Sequence, residues 1–298
     1  MTTPTATKTL GEIIKASTAF LTGRGVDEAQ MVCEILAARL FSCKPLELIA
    51  LHGHALDERK LDAMRRGIKR VADGEPVQYV VGQTGFMGYM FKTDRRALIP
   101  RQDTEVLVEM VLKCAPLWQA PVNDTAGKRP VVVDIGTGSG CIVITLAKAH
   151  PEGGYLGLDV SEDALALARE NAAALGVSDH VIFACAELCD VVEPGMVDAV
   201  VSNPPYIATQ DYEKLPRMIR DFEPRQALDG GTEGLDILEA VVQDASMALR
   251  PDGWLFLETG WDQAGRVKNL MEATGFAGVT VTQDLGGRDR VVSGHLAV

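Results

Sequence analysis

Apolar positions recur at helical spacing through the first eighty residues. Leu10, Ile13, Ile14, Phe20 and Leu21 fall on one such face. Asp27 stands where it would cap a second helix carrying Met31, Ile35, Leu36 and Leu40. Pro45 suits the first turn of a helix ahead of Leu46, Leu48 and Ile49. Residues 56–71 predict a further amphipathic helix bearing Arg59, Lys60, Arg65, Arg66, Lys69 and Arg70. A charge run of this kind is most often a solvated face, and less often a docking surface. Between Gly82 and Pro100 the helical period stops. Glycines and aromatics alternate there (Gly85, Phe86, Gly88, Tyr89, Phe91), which predicts two short strands in a hairpin. Residues 115–130 hold Pro116, Pro121 and Pro130 and read as an exposed loop.

From Pro130 onward, short apolar runs alternate with amphipathic stretches. Strands are predicted at 131–135, 155–159, 181–185, 197–202, 254–258, 279–284 and 290–296. Helices are predicted at 140–149, 161–175, 235–249 and 262–274. Ser161 and Gly176 bracket the second of these helices, and Pro251-Asp252-Gly253 follows the third. Seven strands interleaved with helices indicate an α/β fold with a doubly wound, mainly parallel sheet. No helix separates the last two strands, so that pair should be antiparallel. The expected organisation is a small helical N-terminal domain (1–82), a β-hairpin linker (83–100) and an α/β domain (101–298).

Charge narrows the function. Among 298 residues, 29 Lys and Arg face 41 Asp and Glu, a net charge of −12. That disfavours direct nucleic-acid binding, which needs a phosphate-neutralising surface. Six scattered cysteines form no C-x-x-C pair, so neither a disulfide framework nor a zinc site is expected, and a reducing, cytoplasmic setting fits. His52 and His54 are too few to make a metal site. No apolar stretch is long enough to span a membrane, and residues 1–9 read as a frayed tail without a signal sequence.

Two motifs carry chemistry. The first is Asp134-Ile135-Gly136-Thr137-Gly138-Ser139-Gly140, at a strand-to-helix turn. Its glycines let the backbone turn tightly and approach a ligand. The pattern is neither the dinucleotide fingerprint, since position 141 is Cys, nor a P-loop, since no Gly-Lys-Ser/Thr follows. The Asp134 carboxylate would repel a pyrophosphate and suits a ligand carrying positive charge. Asp159 ends the next strand nineteen residues after Gly140, where an acid accepts from ribose hydroxyls. A ribose, an acidic loop and no phosphate site together point to S-adenosylmethionine.

The second motif is Asn203-Pro204-Pro205-Tyr206, which leaves the fourth strand toward the same sheet edge. The prolines stiffen the loop and hold the Pro204 carbonyl in a fixed direction. With the Asn203 side-chain oxygen it offers two acceptors, the complement of a substrate NH2 group. Tyr206 offers an aromatic face for a planar group. An amide nitrogen is a poor nucleophile, and acceptors aimed at its hydrogens favour charge on nitrogen as a methyl group arrives. No general base is obligatory, because the methylated nitrogen becomes strongly acidic.

Taken together, the chain resembles the glutamine N5-methyltransferases that modify peptide chain release factors. The resemblance rests on the two motifs above and on Gly74-Glu75-Pro76-Val77-Gln78-Tyr79-Val80-Val81-Gly82. It rests also on Leu98-Ile99-Pro100-Arg101-Gln102-Asp103-Thr104-Glu105, on Phe222-Glu223-Pro224 with Ala227-Leu228, and on Gly231-Thr232-Glu233-Gly234-Leu235. It implies a Rossmann-like class I S-adenosylmethionine-dependent methyltransferase domain, with the N-terminal domain docking the release factor. The methyl group would go to the glutamine of a Gly-Gly-Gln tripeptide, leaving S-adenosylhomocysteine. Asp134, Gly136, Thr137, Gly138, Ser139 and Gly140 would then bind the cofactor, Asp159 would hold its ribose, and Glu187 and Leu188 would contact its adenine. Asn203, Pro204, Pro205 and Tyr206 would hold the glutamine amide, with Asn203 also facing the cofactor. No metal is implied. Gln102 stands where the family commonly has Pro, and residues 100–105 carry no assigned role. The alternatives are a ribosomal-protein glutamine methyltransferase, a DNA adenine N6-methyltransferase and a non-catalytic cofactor-binding module.

Overall fold

The computed structural model of the chain describes residues 8–118 and 129–297. Residues 1–7 of the expected tail (1–9) and 119–128 of the expected loop (115–130) lie outside the described residues, while Thr9 caps the first helix and Ala115–Trp118 form a short helix where a loop is expected. The chain divides into two units, one of residues up to Gln83 with Pro216–Phe222, the other of Thr84–Leu215 and Glu223 onward.

The first unit is helical. Helix α1 (Leu10–Thr22) starts on a capping box: Thr9 Oγ1 accepts the Glu12 N–H, and the Glu12 carboxylate accepts the Thr9 N–H at 2.8 Å. Helix α2 (Ala29–Phe41) begins after a left-handed Glu28 with φ 49°, so Asp27 does not cap it. The chain closes the preceding turn through the Val26 N–H on the Leu21 carbonyl, and that turn sets the entry instead. A 3-10 turn at Pro45–Glu47 leads into α3 (Leu48–Leu51), where Leu48 is buried while Leu46 and Ile49 face solvent. Asp57 caps α4 (Glu58–Ala72), and α5 (Val77–Val81) ends at Gly82. Leu10, Leu21, Cys33, Leu36, Met64 and Ile68 are core residues of this unit. The basic run lies along exposed positions of α4. Lys60 pairs with Asp57, Arg65 with Asp62, and Arg70 with Glu75, while Arg66 and Lys69 are exposed.

The hairpin forms as expected from β1 (Gln83–Phe86) and β2 (Tyr89–Lys92). Phe86 and Phe91 meet edge to face at 6.0 Å in the core of the second unit, among Leu107, Val108 and Val111 of α6 (Gln102–Lys113). The hairpin thus contributes buried apolar surface to that core. The chain continues through α7 (Ala115–Trp118), β3 (Val131–Ile135), α8 (Cys141–Ala149), β4 (Gly154–Asp159), α9 (Glu162–Leu175), β5 (Val181–Cys185) and β6 (Val197–Ser202). After α10 (Arg217–Arg220), which belongs to the first unit, come α11 (Asp236–Ala248), β7 (Leu249–Glu258), α12 (Ala264–Ala273), β8 (Phe276–Gln283) and β9 (Asp289–Leu296). The large sheet has seven strands in the order β5-β4-β3-β6-β7-β9-β8. It is parallel from β5 to β7, and β9 runs antiparallel to both of its neighbours.

Every residue of β6 is buried, as a strand covered by helices on both faces requires. Neighbouring residues of β3 enter opposite layers, Val132 one core and Val133 the other. The largest boundary differences are at β7, which starts at Leu249, five residues before the predicted strand, and at β8, which starts at Phe276, three residues early. The turn signal Pro251-Asp252-Gly253 is absorbed inside the strand as an irregularity, with Asp252 at φ 63° and a register shift between Val197 and Ala199 on the partner.

Candidate active site

The parallel pairing of β3 with β6 places Ile135 opposite Ser202, and Ser202 Oγ donates to the Ile135 carbonyl at 2.7 Å. The chain segments leaving these strands therefore emerge side by side at the carboxyl edge of the sheet, where open α/β folds bind ligands.

The glycine turn is fixed from three sides. Gly136, Gly138 and Gly140 take φ of 70°, 54° and 80°, a conformation open to glycine and strained for other residues. A side chain at Gly140 would also meet Ile144 and Ala168, so the third glycine serves close packing of α8. The Thr137 N–H donates to the Leu158 carbonyl at 2.8 Å. Asn171 donates to the Ser139 carbonyl at 2.9 Å while receiving the Lys92 N–H, tying the turn to the hairpin.

Two acids anchor this turn differently. Asp159 Oδ2 accepts the Gly138 N–H and Oδ1 the Ser161 N–H, both at 2.9 Å. Burial raises its pKa above the usual carboxylate range, and those backbone donors offset part of the rise. Asp134 is fully buried. Its Oδ2 accepts the Thr137 hydroxyl at 2.7 Å and the Val143 N–H at 3.3 Å, and its Oδ1 has no hydrogen-bond partner among the described residues. Burial pushes it up to about 7.

A cavity of about 560 Å3 opens beside the turn. Of the residues singled out by sequence, Gly136, Thr137, Gly138, Ser139, Asp159, Glu187, Asn203, Pro204 and Pro205 line it. Asp134, Gly140, Leu188 and Tyr206 do not line it. Asp134 and Gly140 sit behind the turn, and Leu188 and Tyr206 pack against the adjoining core. Ile99, Pro100 and Arg101 form part of the wall. They are held by the buried Glu223, which accepts the Ile99 N–H at 3.2 Å and Arg101 Nη2 at 2.5 Å.

The loop after β6 is clamped at both ends, at Asn203 and at Tyr206. Asn203 Nδ2 donates to Thr104 Oγ1 at 2.9 Å. Tyr206 Oη donates to Glu258 Oε1 at 3.4 Å. Gln263 Nε2 donates both to the Tyr206 carbonyl, at 2.9 Å, and to the Gly234 carbonyl, at 3.0 Å. Gly234, at φ +74°, passes so close that a Cβ there would lie 2.3 Å from the Tyr206 carbonyl oxygen. Thr104, Glu223, Glu258 and Gln263 were not singled out by sequence. Thr104 and Glu223 stood inside quoted segments without a role, and Glu258 closes a strand at the ligand-bearing edge, which is a usable signal. Gln263 offers none.

The sheet order, the glycine turn and the acid ending β4 define a class I S-adenosylmethionine-dependent methyltransferase fold. The catalytic domain of hMettl16 in complex with a MAT2A 3′UTR hairpin shares this fold, with a TM-score of 0.54 and 16% identity over 86% of this chain and 91% of that one. Residues 120–232 match the methyltransferase small domain and residues 12–82 the PrmC N-terminal domain. The release factor glutamine methyltransferase of Geobacter sulfurreducens is 37% identical, covering 97% of both chains, and that of Chlorobaculum tepidum is 37% identical, covering 95% of both. The chain belongs to the release factor glutamine methyltransferase family.

Glu258, like Asp134, is pushed up to about 7, chiefly by burial. Unfolded carboxyls ionise near 4, so the folded protein binds more protons between about pH 4 and 7. These two groups therefore stabilise the ligand-free protein at the acid end of that window, and their contribution is lost as pH rises through 7. Glu258→Gln, neutral throughout, is expected to flatten that fall. Denaturant unfolding at a series of pH values checks this, and an unchanged slope in the variant would contradict it.

Proposed function

We propose that this protein transfers a methyl group from S-adenosylmethionine to the side-chain amide nitrogen (N5) of the glutamine in the Gly-Gly-Gln motif of peptide chain release factors, in the cytoplasm. The observation that carries the reading is the clamped Asn203–Tyr206 loop beside a nucleoside-sized cavity, in a chain of this family.

The cavity suits the cofactor. Its volume lies within the roughly 300–1,000 Å3 of small-ligand sites. Gly136 opens onto free space and Gly138 nearly so, leaving a cradle that a Cβ would narrow. Asp159 already accepts one backbone N–H on each oxygen, and each oxygen retains a lone pair for a ribose hydroxyl. Ile135, Ile142, Val160 and Ala164 supply apolar walls, with Glu187 at the adenine end. Among the described residues the cations lining the pocket are Arg96, Arg101 and Arg225, with no lysine. When bound, S-adenosylmethionine supplies an electrophilic methyl carbon on a sulfonium.

The chain's own contribution is orientation and electrostatics. Asn203 Oδ1 and the Pro204 carbonyl accept the two N–H groups of the glutamine amide, which holds its nitrogen toward the cofactor side of the cavity. Their negative dipoles favour charge on that nitrogen. Pro204 and Pro205 remove backbone freedom from the loop, so little of this order must be created on binding. Tyr206, whose hydroxyl is held by Glu258, stiffens the end of the loop. The helical unit docks the release factor, with the basic face of α4 as its contact surface.

The test offers labelled S-adenosylmethionine with release factor, ribosomal protein and duplex DNA side by side. Label on the Gly-Gly-Gln glutamine is expected, and label on another acceptor alone would replace this reading. Asn203→Ala is expected to lower kcat by roughly 100- to 1,000-fold with cofactor affinity largely kept. Asp159→Ala should weaken cofactor binding by about tenfold or more while sparing the acceptor site. Calorimetric titration and turnover separate the two, and the reverse pattern would refute both roles. Replacing Arg65 and Arg66 by Glu should raise KM for the release factor and leave cofactor Kd unchanged, whereas an unaltered KM would remove the docking role of α4.

A further inference from the structure

An asparagine amide has two unlike edges, an oxygen that accepts and an NH2 that donates. Only the oxygen edge is useful against a substrate NH2 group. Nothing in the Asn-Pro-Pro-Tyr loop itself decides which edge faces the cavity, because the two orientations have nearly the same shape. The decision comes from outside the loop.

Thr104 is the third residue of α6 and is 2% exposed. Its Oγ1 accepts from Asn203 Nδ2 at 2.9 Å, which commits the NH2 edge to the protein and leaves Oδ1 as the other edge. A hydroxyl can also donate, and donation into Asn203 would turn the amide over. Glu258 prevents this. It is 1% exposed, it takes the Tyr206 hydroxyl on Oε1, and its Oε2 is buried with no hydrogen-bond partner among the described residues. Burial raises the pKa of this carboxyl, and the neighbouring Thr104 hydroxyl and the Arg290 charge offset part of that rise. A carboxylate only accepts, so an ionised Glu258 draws the Thr104 proton to its own side and away from Asn203, and the Thr104 oxygen accepts from Asn203 Nδ2.

We propose that Thr104, oriented by Glu258, is a positioning residue that sets the Asn203 amide with its oxygen toward the methyl-accepting nitrogen. The proposal rests on the reading of Asn203 as the amide acceptor. It assigns a role to the residue type at position 104: a side chain with one proton and one free lone pair, buried between an asparagine and an acid. A valine there would fill the same space and give no instruction.

The experiment compares Thr104→Val, Thr104→Ser and the wild type above neutral pH, where Glu258 is ionised. Thr104→Val is expected to keep its melting temperature and cofactor Kd and to lose about 10- to 100-fold in kcat. Thr104→Ser should restore most of that loss. In an Asn203→Ala background, Thr104→Val should cost nothing further, since Thr104 acts through Asn203. Independently of activity, the side-chain NH2 resonances of Asn203, assigned by their absence from Asn203→Ala, should shift in Thr104→Val and not in Thr104→Ser. A Thr104→Val kcat within about twofold of wild type, an equal loss in the Asn203→Ala background, or unmoved Asn203 resonances would each overturn the proposal. Wild-type protein that leaves the release factor unlabelled would instead overturn the functional reading, and the resonance comparison still decides the role of Thr104.

Discussion

The parallel hydrogen bonding of β3 to β6 is the constraint from which the site follows. These two strands are separated by two helices and two other strands in the chain, yet they are neighbours in the sheet. Their register puts Ile135 beside Ser202, and the Ser202 hydroxyl closes the last rung. A glycine turn and a proline-stiffened loop, each ordinary alone, thereby share one edge. Because side chains alternate along a strand, a slip of one residue would exchange the two cores that Val132 and Val133 enter. Burial on both faces of the sheet makes that slip costly, so the same packing that stabilises the fold also fixes the distance between the glycine turn and the Asn203–Tyr206 loop.

The buried polar groups divide by function. Asp159 sits at the cavity with both oxygens anchored, held ready for a further donor. Asp134 is withdrawn behind the turn, where it organises Thr137 and the start of α8. Glu223 and Glu258 play a similar background part on the other side, the first pinning the 98–101 segment and the second steadying Tyr206. Acids that shape a loop from behind can be fully buried, because their partners are backbone and hydroxyl groups fixed by the fold. An acid that must meet a ligand keeps one side open.

Much of this was legible in the sequence. The seven strands, the four principal helices of the α/β domain and both site motifs followed from period, glycine placement and the order of elements, because each depends on neighbours a few residues away. The misplacements have local physical causes. Asp27 looked like a helix cap, but the turn after α1 placed Glu28 in the left-handed region first. Pro251-Asp252-Gly253 looked like a stop, but β7 absorbed it as a bulge. What the sequence could not express was the clamp on the acceptor loop. Thr104 lies 99 residues from Asn203, and Gln263 lies 57 from Tyr206. Single polar residues with partners at such separations leave no periodic trace. Tyr206 illustrates the same limit, since its residue type suggested a stacking face while its hydroxyl bond to Glu258 places it against the core.

The order of strands in the sheet is also an order in time. The glycine turn, β4 with Asp159 and β5 come from one continuous stretch joined by local crossovers, and all of it is synthesised before the Asn203–Tyr206 loop. That loop, once synthesised, still lacks the carbonyl clamp from Gln263 and the backing of Glu258, which arrive about sixty residues later. A chain growing from its N-terminus thus makes the glycine turn and Asp159 well before the residues that clamp the Asn203–Tyr206 loop. That loop gains its last clamp only when Gln263 has been made, a late assembly for a protein whose proposed substrates are the factors that end translation.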